Sequence, residues 1–320
     1  MSTLTSPRVH TPPIALVGGV VGVLVLAAVS TTIGVSALDF EILMVSRMPR
    51  TISLVLAGMA MAVSGLLMQL AVRNRFVEPS MVGTTEAAGL GLVLVTLLWP
   101  GVSLMGKMLF ACVFALLGTW IFLRVVRLLP ATSTVLVPVV GMMLAGVVGA
   151  ATTFLAFQYD LMQTLNSWMT GDFSGVLRGR YELLWVAAAL VAIAFLAADR
   201  FTVAGMGESF ATSVGLNYRV VLALCLSLVA VISAVVVVTV GVIPFLGLVV
   251  PNVVSMLVGD HARRGLPWVA LLGAAMVLAC DIVGRLIRYP YEVPVGSVMG
   301  VVGAVIFLWL LLRRSPDAAH

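Results

Sequence analysis

Residues 220–259 read VVLALCLSLVAVISAVVVVTVGVIPFLGLVVPNVVSMLVG, with no charged side chain between Arg219 and Asp260. A helix crosses the hydrocarbon core with about 20 residues, so the stretch holds two crossings. Gly241 and Pro244, in GVIPF, break it. Glycine frees the backbone, and proline removes a donor and clashes with the preceding turn. Irregular backbone at that depth is tolerated only inside protein or beside a cavity. The chain therefore reads as an all-α polytopic membrane protein with a functional discontinuity near residue 241.

Composition agrees. Apolar residues make up 62% and charged residues 10% of the 320, with a mean hydropathy of +1.18, whereas a soluble domain carries about 25% charged residues. In such a chain the net charge of +5 reads as arginine on cytoplasmic loops and not as affinity for nucleic acid. Cys112, Cys225 and Cys280 fall within apolar runs, with no CxxC and no adjacent His. They read as small buried hydrophobes, so neither a metal site nor a disulfide framework is expected. The apolar run after MSTLTSPRVHTPP is too long for a signal-peptide core and reads as a retained first span behind a cytoplasmic tail, 1–12.

Uncharged runs and their breakers predict about ten spans: 13–36, 51–70, 81–99, 103–123, 133–157, 182–198, 220–240, 246–258, 267–284 and 294–312. Residues 39–50 read as an outer segment, and 159–180 as too polar to span. Within the latter, Leu161, Leu165, Trp168 and Met169 recur at the spacing of a short interfacial helix. Ten crossings place both termini on one side. With the termini inside, the inner loops and tails hold eleven basic residues: Arg8, Arg73, Arg75, Arg124, Arg127, Arg200, Arg219, Arg263, Arg264, Arg313 and Arg314. The outer side holds seven: Arg47, Arg50, Lys107, Arg178, Arg180, Arg285 and Arg288. The bias favours a multi-pass protein of the cytoplasmic membrane with cytoplasmic termini, and 1–320 reads as one transmembrane domain surrounded by lipid. Small residues at four-residue spacing, Gly58/Ala62, Gly141/Ala145/Gly149 and Gly296/Gly300, read as close helix packing within the subunit.

Few motifs carry chemistry. Gly101–Met108, GVSLMGKM, nearly matches a phosphate loop but lacks the final Ser/Thr and a preceding strand, so the chain has no ATPase of its own. The loop 199–219 is the strongest functional signal. Gly207, Glu208, Ala211 and Gly215 outline a short amphipathic helix ended by glycine, a handle for a soluble partner or else a plain connector. Asp281 and Arg285, at i and i+4, pair on one helix. Glu86, just inside a span, reads as paired with a neighbouring Arg or else as a lumen-facing charge. Tyr289–Pro294 reads as a rigid outer turn.

Five segments resemble the iron-siderophore and cobalamin permeases of ATP-binding-cassette importers, the FecCD-like family: SRMPRTISLVLAGMAMAVSGLLMQ (46–69), RNRFVEPSMVGTTEAAGLG (73–91), GMGESFATSVGLN (205–217), GVIPFLGLVVPNVVSMLVGDHARRGLP (241–267) and ACDIVGRLIRYPYEVPVG (279–296). Most members have His after the proline and Arg three residues later, where this chain has Asn252 and Ser255; NRFVEP also stands where NPLAEP is commoner. Both departures resemble the branch that handles catecholate and petrobactin-type siderophores.

The resemblance implies a type II importer permease that translocates ferric siderophore. Its partners would be a dimer of ATPases, a second permease subunit (identical or paralogous) and an extracytoplasmic siderophore-binding protein. No cofactor is expected in this chain; ATP and Mg would sit on the ATPase. Carried over residue by residue, Gly207, Glu208, Ala211 and Gly215 would couple to the ATPase. Arg47, Arg50 and Arg285 would receive acidic residues of the binding protein, and Asn74 and Phe76 would gate the cytoplasmic side. The alternative is an ion-coupled secondary transporter of a small polar solute, which needs mid-membrane ionisable groups. An intramembrane enzyme finds no Ser/His or metal-ligand set, since His10, His261 and His320 all lie outside the spans.

Overall fold

The computed structural model describes residues 13–33, 39–126, 136–259 and 261–313, and among these the secondary structure is helical. The expected tail 1–12, part of the loop before residue 136, Asp260 and Arg314 lie outside the described residues. The helices are α1 Pro13–Thr32, α2 Phe40–Val72, α3 Thr84–Leu98, α4 Leu104–Val126, α5 Leu136–Gln158, α6 Met162–Met169 and α7 Leu184–Leu196. They continue with α8 Ala198–Gly205, α9 Glu208–Ser213, α10 Tyr218–Val240, α11 Leu246–Val258, α12 Ala262–Ile287 and α13 Val295–Arg313.

Seven of them are long and apolar enough to cross a membrane alone, α7 and α8 reach that length only as a pair bent by 66°, and α3 and α11 are shorter apolar helices. Each expected span thus has its helix. Two regions hold more helix than expected. Residues 40–50, read as an outer segment, form the first turns of α2, which runs unbroken through a π-helical turn at Leu43–Arg47. The reason is local: Pro49 has no N–H to give Val45, four residues back, and the backbone N–H of Arg178 donates to that carbonyl at 3.1 Å. The loop 199–219 holds the expected short helix, α9, and a further one, α8, before it.

α2 is the axis of the fold, packed against α10, α11 and α12. Close approach needs glycine at one crossing above all. A Cβ built on Gly65 would lie 2.0 Å from the carbonyl oxygen of Gly247, so backbone touches backbone there. The other small-residue rows also face neighbours within the subunit. Gly58 meets Gly273, Gly141 meets Met81, and Gly296 meets Gly171.

The break at 241–244 is sealed by backbone. The N–H of Val242 donates to Met169 O (3.2 Å), that of Asp172 to Val240 O (3.1 Å), and that of Gly296 to Gly171 O (2.8 Å). Segment 169–172, the continuation of α6, therefore turns into the bundle and satisfies groups that lipid could not. Gly241 takes φ +84°, and a Cβ there would stand 2.4 Å from Thr170 O. Proline inside α11 is answered in the same way. Pro251 leaves Gly247 O without its helical donor, and Gln69 Nε2 supplies one at 3.3 Å.

Candidate functional site

The bundle has two polar ends. The near end carries α8, α9 and the loop after α2; the far end carries residues 281–294.

At the near end, α9 forms as its sequence dictates. Gly207 (φ +114°) precedes it and Gly215 (φ +81°) follows it. Leu216 N–H donates back to Ala211 O at 2.9 Å, which closes the helix in the glycine-ended manner. Ala211 is buried and anchors the helix, while Glu208 is exposed. Phe210 (47% exposed) and Val214 (63%) stand outward, so α9 displays an apolar, acid-tipped face. Below it, α8 is tied to the start of α12. Ala262 N–H donates to Thr202 Oγ1 at 3.2 Å, and Arg263 pairs with Asp199 at 2.5 Å.

Asn74 and Phe76 lie in the same turn, Asn74 Oδ1 accepting from Phe76 N–H at 2.9 Å. The Phe76 ring meets Phe307 of α13 edge-on at 6.2 Å, and Phe307 stacks on Phe245 at 6.3 Å. This aromatic row joins the expected gate to the GVIPF break. Phe245 and Phe307 were not singled out from the sequence, because single aromatics in apolar runs carry no pattern. Phe245 is held at φ +62°, and its N–H is bonded by the Glu78 carboxylate; burial pushes that carboxyl above the usual carboxylate range.

The two departures from the family pattern meet in space. Arg75 Nη1 donates to Ser255 Oγ at 3.0 Å, and Asn252 Nδ2 donates to Arg75 O at 2.8 Å. Arg75 thus brings a cation to Ser255 from the facing wall.

At the far end, Asp281 is 1% exposed. Arg50 donates to it through Nε (3.2 Å) and Nη2 (2.7 Å), Ser30 Oγ donates at 3.4 Å, and Arg285 pairs with it as expected for i, i+4. Arg50 also holds Glu292 at 2.7 Å. Arg285 donates to Ser30 O and Ile33 O, both at 2.9 Å, and Arg47 to Thr31 O at 3.1 Å. The three expected docking arginines are therefore 6–13% exposed at most in their side chains where Arg285 and Arg50 are concerned, and Arg47 is buried too. They are committed to internal partners that clamp α1, α2 and α12, and are not displayed as free cations. Such burial fits the rule that charges at membrane depth are paired.

Glu86 departs from expectation. Among the described residues it has no arginine partner, and its Oε2 is buried without a hydrogen bond. It lies in the first turn of α3 and is bonded by its own backbone N–H, so the positive end of the helix replaces the expected cation. Lys107 of the near-miss phosphate loop lies 6.0 Å from the Trp168 ring.

The FecCD transport family model matches residues 14–313. The chain belongs to that family. Among relatives of this FecCD protein, the petrobactin import permease YclN of Bacillus subtilis is 46% identical over 92% of this chain and 97% of its own length. The petrobactin import permease FatD of Bacillus anthracis is 40% identical over 96% and 93%. The ferric-anguibactin permease FatD of Vibrio anguillarum is 41% identical over 84% and 85%. In fold, the chain matches a metal-chelate type ABC transporter in an inward-facing conformation, with a TM-score of 0.84 at 24% identity over 94% of this chain and 99% of that one. The protein is thus a membrane transport permease with the type II ABC importer fold.

Proposed function

We propose that this FecCD-family chain is the membrane-spanning subunit of an importer that carries ferric siderophores of the petrobactin or anguibactin kind across the cytoplasmic membrane. The observation that carries the substrate class is the 46% identity to a petrobactin permease along almost the whole of both chains. In this reading the near end and both termini are cytoplasmic. A pair of ATPases grips α9 through Phe210, Val214 and Glu208, with ATP and Mg held by those subunits and no cofactor in this one. A second permease, identical or paralogous, completes the pathway. Phe76, Phe245 and Phe307 close its inner end beside Asn74.

A binding protein docks at the far end. Because Arg47, Arg50 and Arg285 are engaged internally, their part in docking is to shape and charge that surface. Arg50 is the member able to exchange Glu292 for an incoming carboxylate, since Glu292 is the more exposed of its partners. ATP-driven closure moves α9 and shifts the subunit between two packed states.

The test is uptake of radiolabelled ferric petrobactin by a permease-deletion strain complemented with this chain, with and without its ATPase. Restored, ATPase-dependent uptake is expected. One observation favours the ion-coupled alternative: the buried, unpaired Glu86 oxygen. Uptake that follows the proton gradient, ignores the ATPase and is abolished by Glu86→Gln would overturn the importer reading.

A further inference from the structure

We infer that Arg73 is a positioning residue that ties α9 to the loop carrying Asn74 and Phe76, so that a movement of the helix is passed to the gate. The inference rests on the proposed reading of α9 as the ATPase grip and of Phe76 as part of the inner closure.

α9 packs against α8 and the start of α10. Its link to the gate runs through the two glycines that precede it. A Cβ on Gly205 would stand 3.3 Å from Leu70 Cδ2, in the last turn of α2. Gly207 lies against the Arg73 guanidinium, with Nη1, Cζ and Nη2 at 3.3, 3.5 and 3.6 Å from where its Cβ would be. With φ at +114°, any side chain at 207 would be strained as well as pressed on the fork. Arg73 and Glu208, the first residue of α9, both act electrostatically on the Tyr218 hydroxyl at the start of α10.

The backbone of Arg73 points the same way. The residue caps α2 in the left-handed conformation, φ +57°. Glycine or asparagine suits that place best, and either would end the helix with less strain. Neither would reach Gly207.

Beyond Arg73 the loop is fastened to the pathway side of the bundle. Asn252 of α11 donates to Arg75 O at 2.8 Å, and the Phe76 ring meets Phe307 of α13. By Pro79 the loop has reached the first turn of α11, where a Cβ on Gly247 would stand 3.0 Å from Pro79 Cδ. Direct contacts therefore run from Gly207 to Arg73, and along the loop to Phe76, Phe307 and Phe245. Chains of packed side chains of this kind carry coupling between sites.

Two measurements test the link. The first uses the full-length chain assembled with its ATPase in liposomes, and compares ferric petrobactin uptake with ATP hydrolysis. Arg73→Asn keeps a residue that accepts the left-handed cap but removes the fork. It should leave ATPase binding and hydrolysis unchanged and lower uptake per ATP by about tenfold, within the range one coupling residue carries. Arg73→Lys, which keeps the charge without the fork, should fall between Arg73→Asn and the parent, and serves alone if Arg73→Asn does not accumulate. Parental uptake per ATP in the variant tested would overturn the inference. So would joint loss of ATPase binding and uptake, which would make Arg73 a support of α9 and nothing more. The second measurement needs no transport: amide hydrogen exchange on the solubilised full-length chain. Arg73→Asn, or Arg73→Lys in its place, should speed exchange at both 74–78 and 207–210 by about fivefold, as expected when a local tie is lost. Arg263→Gln, which breaks the pair with Asp199 at the same end, should leave 74–78 unchanged. Unaltered exchange in either segment, or an equal effect of Arg263→Gln, would overturn the link. A parent without ATP-driven uptake would count against the importer reading, and hydrogen exchange would still decide the role of Arg73.

Discussion

Removing the Asp281 carboxylate should unbalance the far end in a direction the geometry fixes. In the folded protein that fully shielded group faces two guanidinium groups. After Asp281→Ala, Arg50 keeps Glu292 at 2.7 Å. Arg285 keeps only neutral acceptors: Ser30 O and Ile33 O at 2.9 Å and Ser30 Oγ at 2.8 Å. Its Nε already has no partner. One buried cation is thus left uncompensated, which costs about 3–5 kcal/mol, or about two to four decades in the unfolding equilibrium. Arg285→Leu alone leaves Asp281 with Arg50 and should cost less, about 1–2 kcal/mol. The double variant Asp281→Ala/Arg285→Leu buries no unpaired charge and should be more stable than Asp281→Ala by about 2 kcal/mol, a coupling of the size a double-mutant cycle resolves. The assay is reversible unfolding in mixed micelles, followed by circular dichroism. An Asp281→Ala protein within about 0.5 kcal/mol of the parent, the range of ordinary surface changes, would refute the reasoning. So would a double variant less stable than Asp281→Ala.

Gly241→Ala should lower the yield of monodisperse protein on size exclusion sharply, because the new Cβ would lie 2.4 Å from Thr170 O at a φ of +84°; Gly101→Ala, with open space around it, should not. Gly215→Pro and Glu208→Arg should abolish uptake while the protein still inserts at normal levels, measured together with ATPase activity of the complex; normal uptake and ATPase binding in both would remove α9 from the coupling role. Burial raises the Glu78 carboxyl above its ordinary value, so the folded state holds that proton more tightly than the unfolded state does. Stability should therefore fall as pH rises from the ordinary carboxylate value through the folded one. Glu78→Gln, which can still accept from Phe245 N–H, should flatten that segment of the curve in thermal melts taken from pH 4 upward.

Most of the fold was legible because hydrocarbon imposes one strong rule: apolar runs of sufficient length become helices. That rule located α10, α11 and the break between them. It did not show that residues 40–50, read as an outer segment on their charge, continue α2 as helix. Arg47 and Arg50 are helical because internal partners await them, and partners on α12 and in the last turn of α1 are invisible to a one-dimensional reading. The same blindness explains the docking expectation. Sequence assigned arginines to an end of the bundle correctly but could not say that Asp281 and Glu292 already occupied Arg50. Glu86 shows the reverse error, since its position in the first turn of α3 was readable as a substitute for a counter-ion. Segment 169–172 left no sequence signal, because what it supplies to Val240 and Val242 is backbone and not side chain.

The placement of α12 gives these pieces a common mechanical sense. Its first residue is bonded to Thr202 of α8, next to the expected ATPase handle, and its last turns hold Asp281 and Arg285. At 1.5 Å per residue, 26 residues make a rod of about 39 Å, enough to reach from one polar end to the other. Gly58 and Gly273 press it onto α2, backbone to backbone, so α12 cannot tilt without α2. α2 in turn ends at Arg73 beside Gly207. A displacement of α9 therefore meets two rigid members, not one, and both terminate in the cluster around Asp281. On the proposed importer reading, the far-end cluster is where a docked partner and a force on α9 would meet, and Asp281→Ala tests that as well as stability: it should weaken the response of ATPase activity to the binding protein.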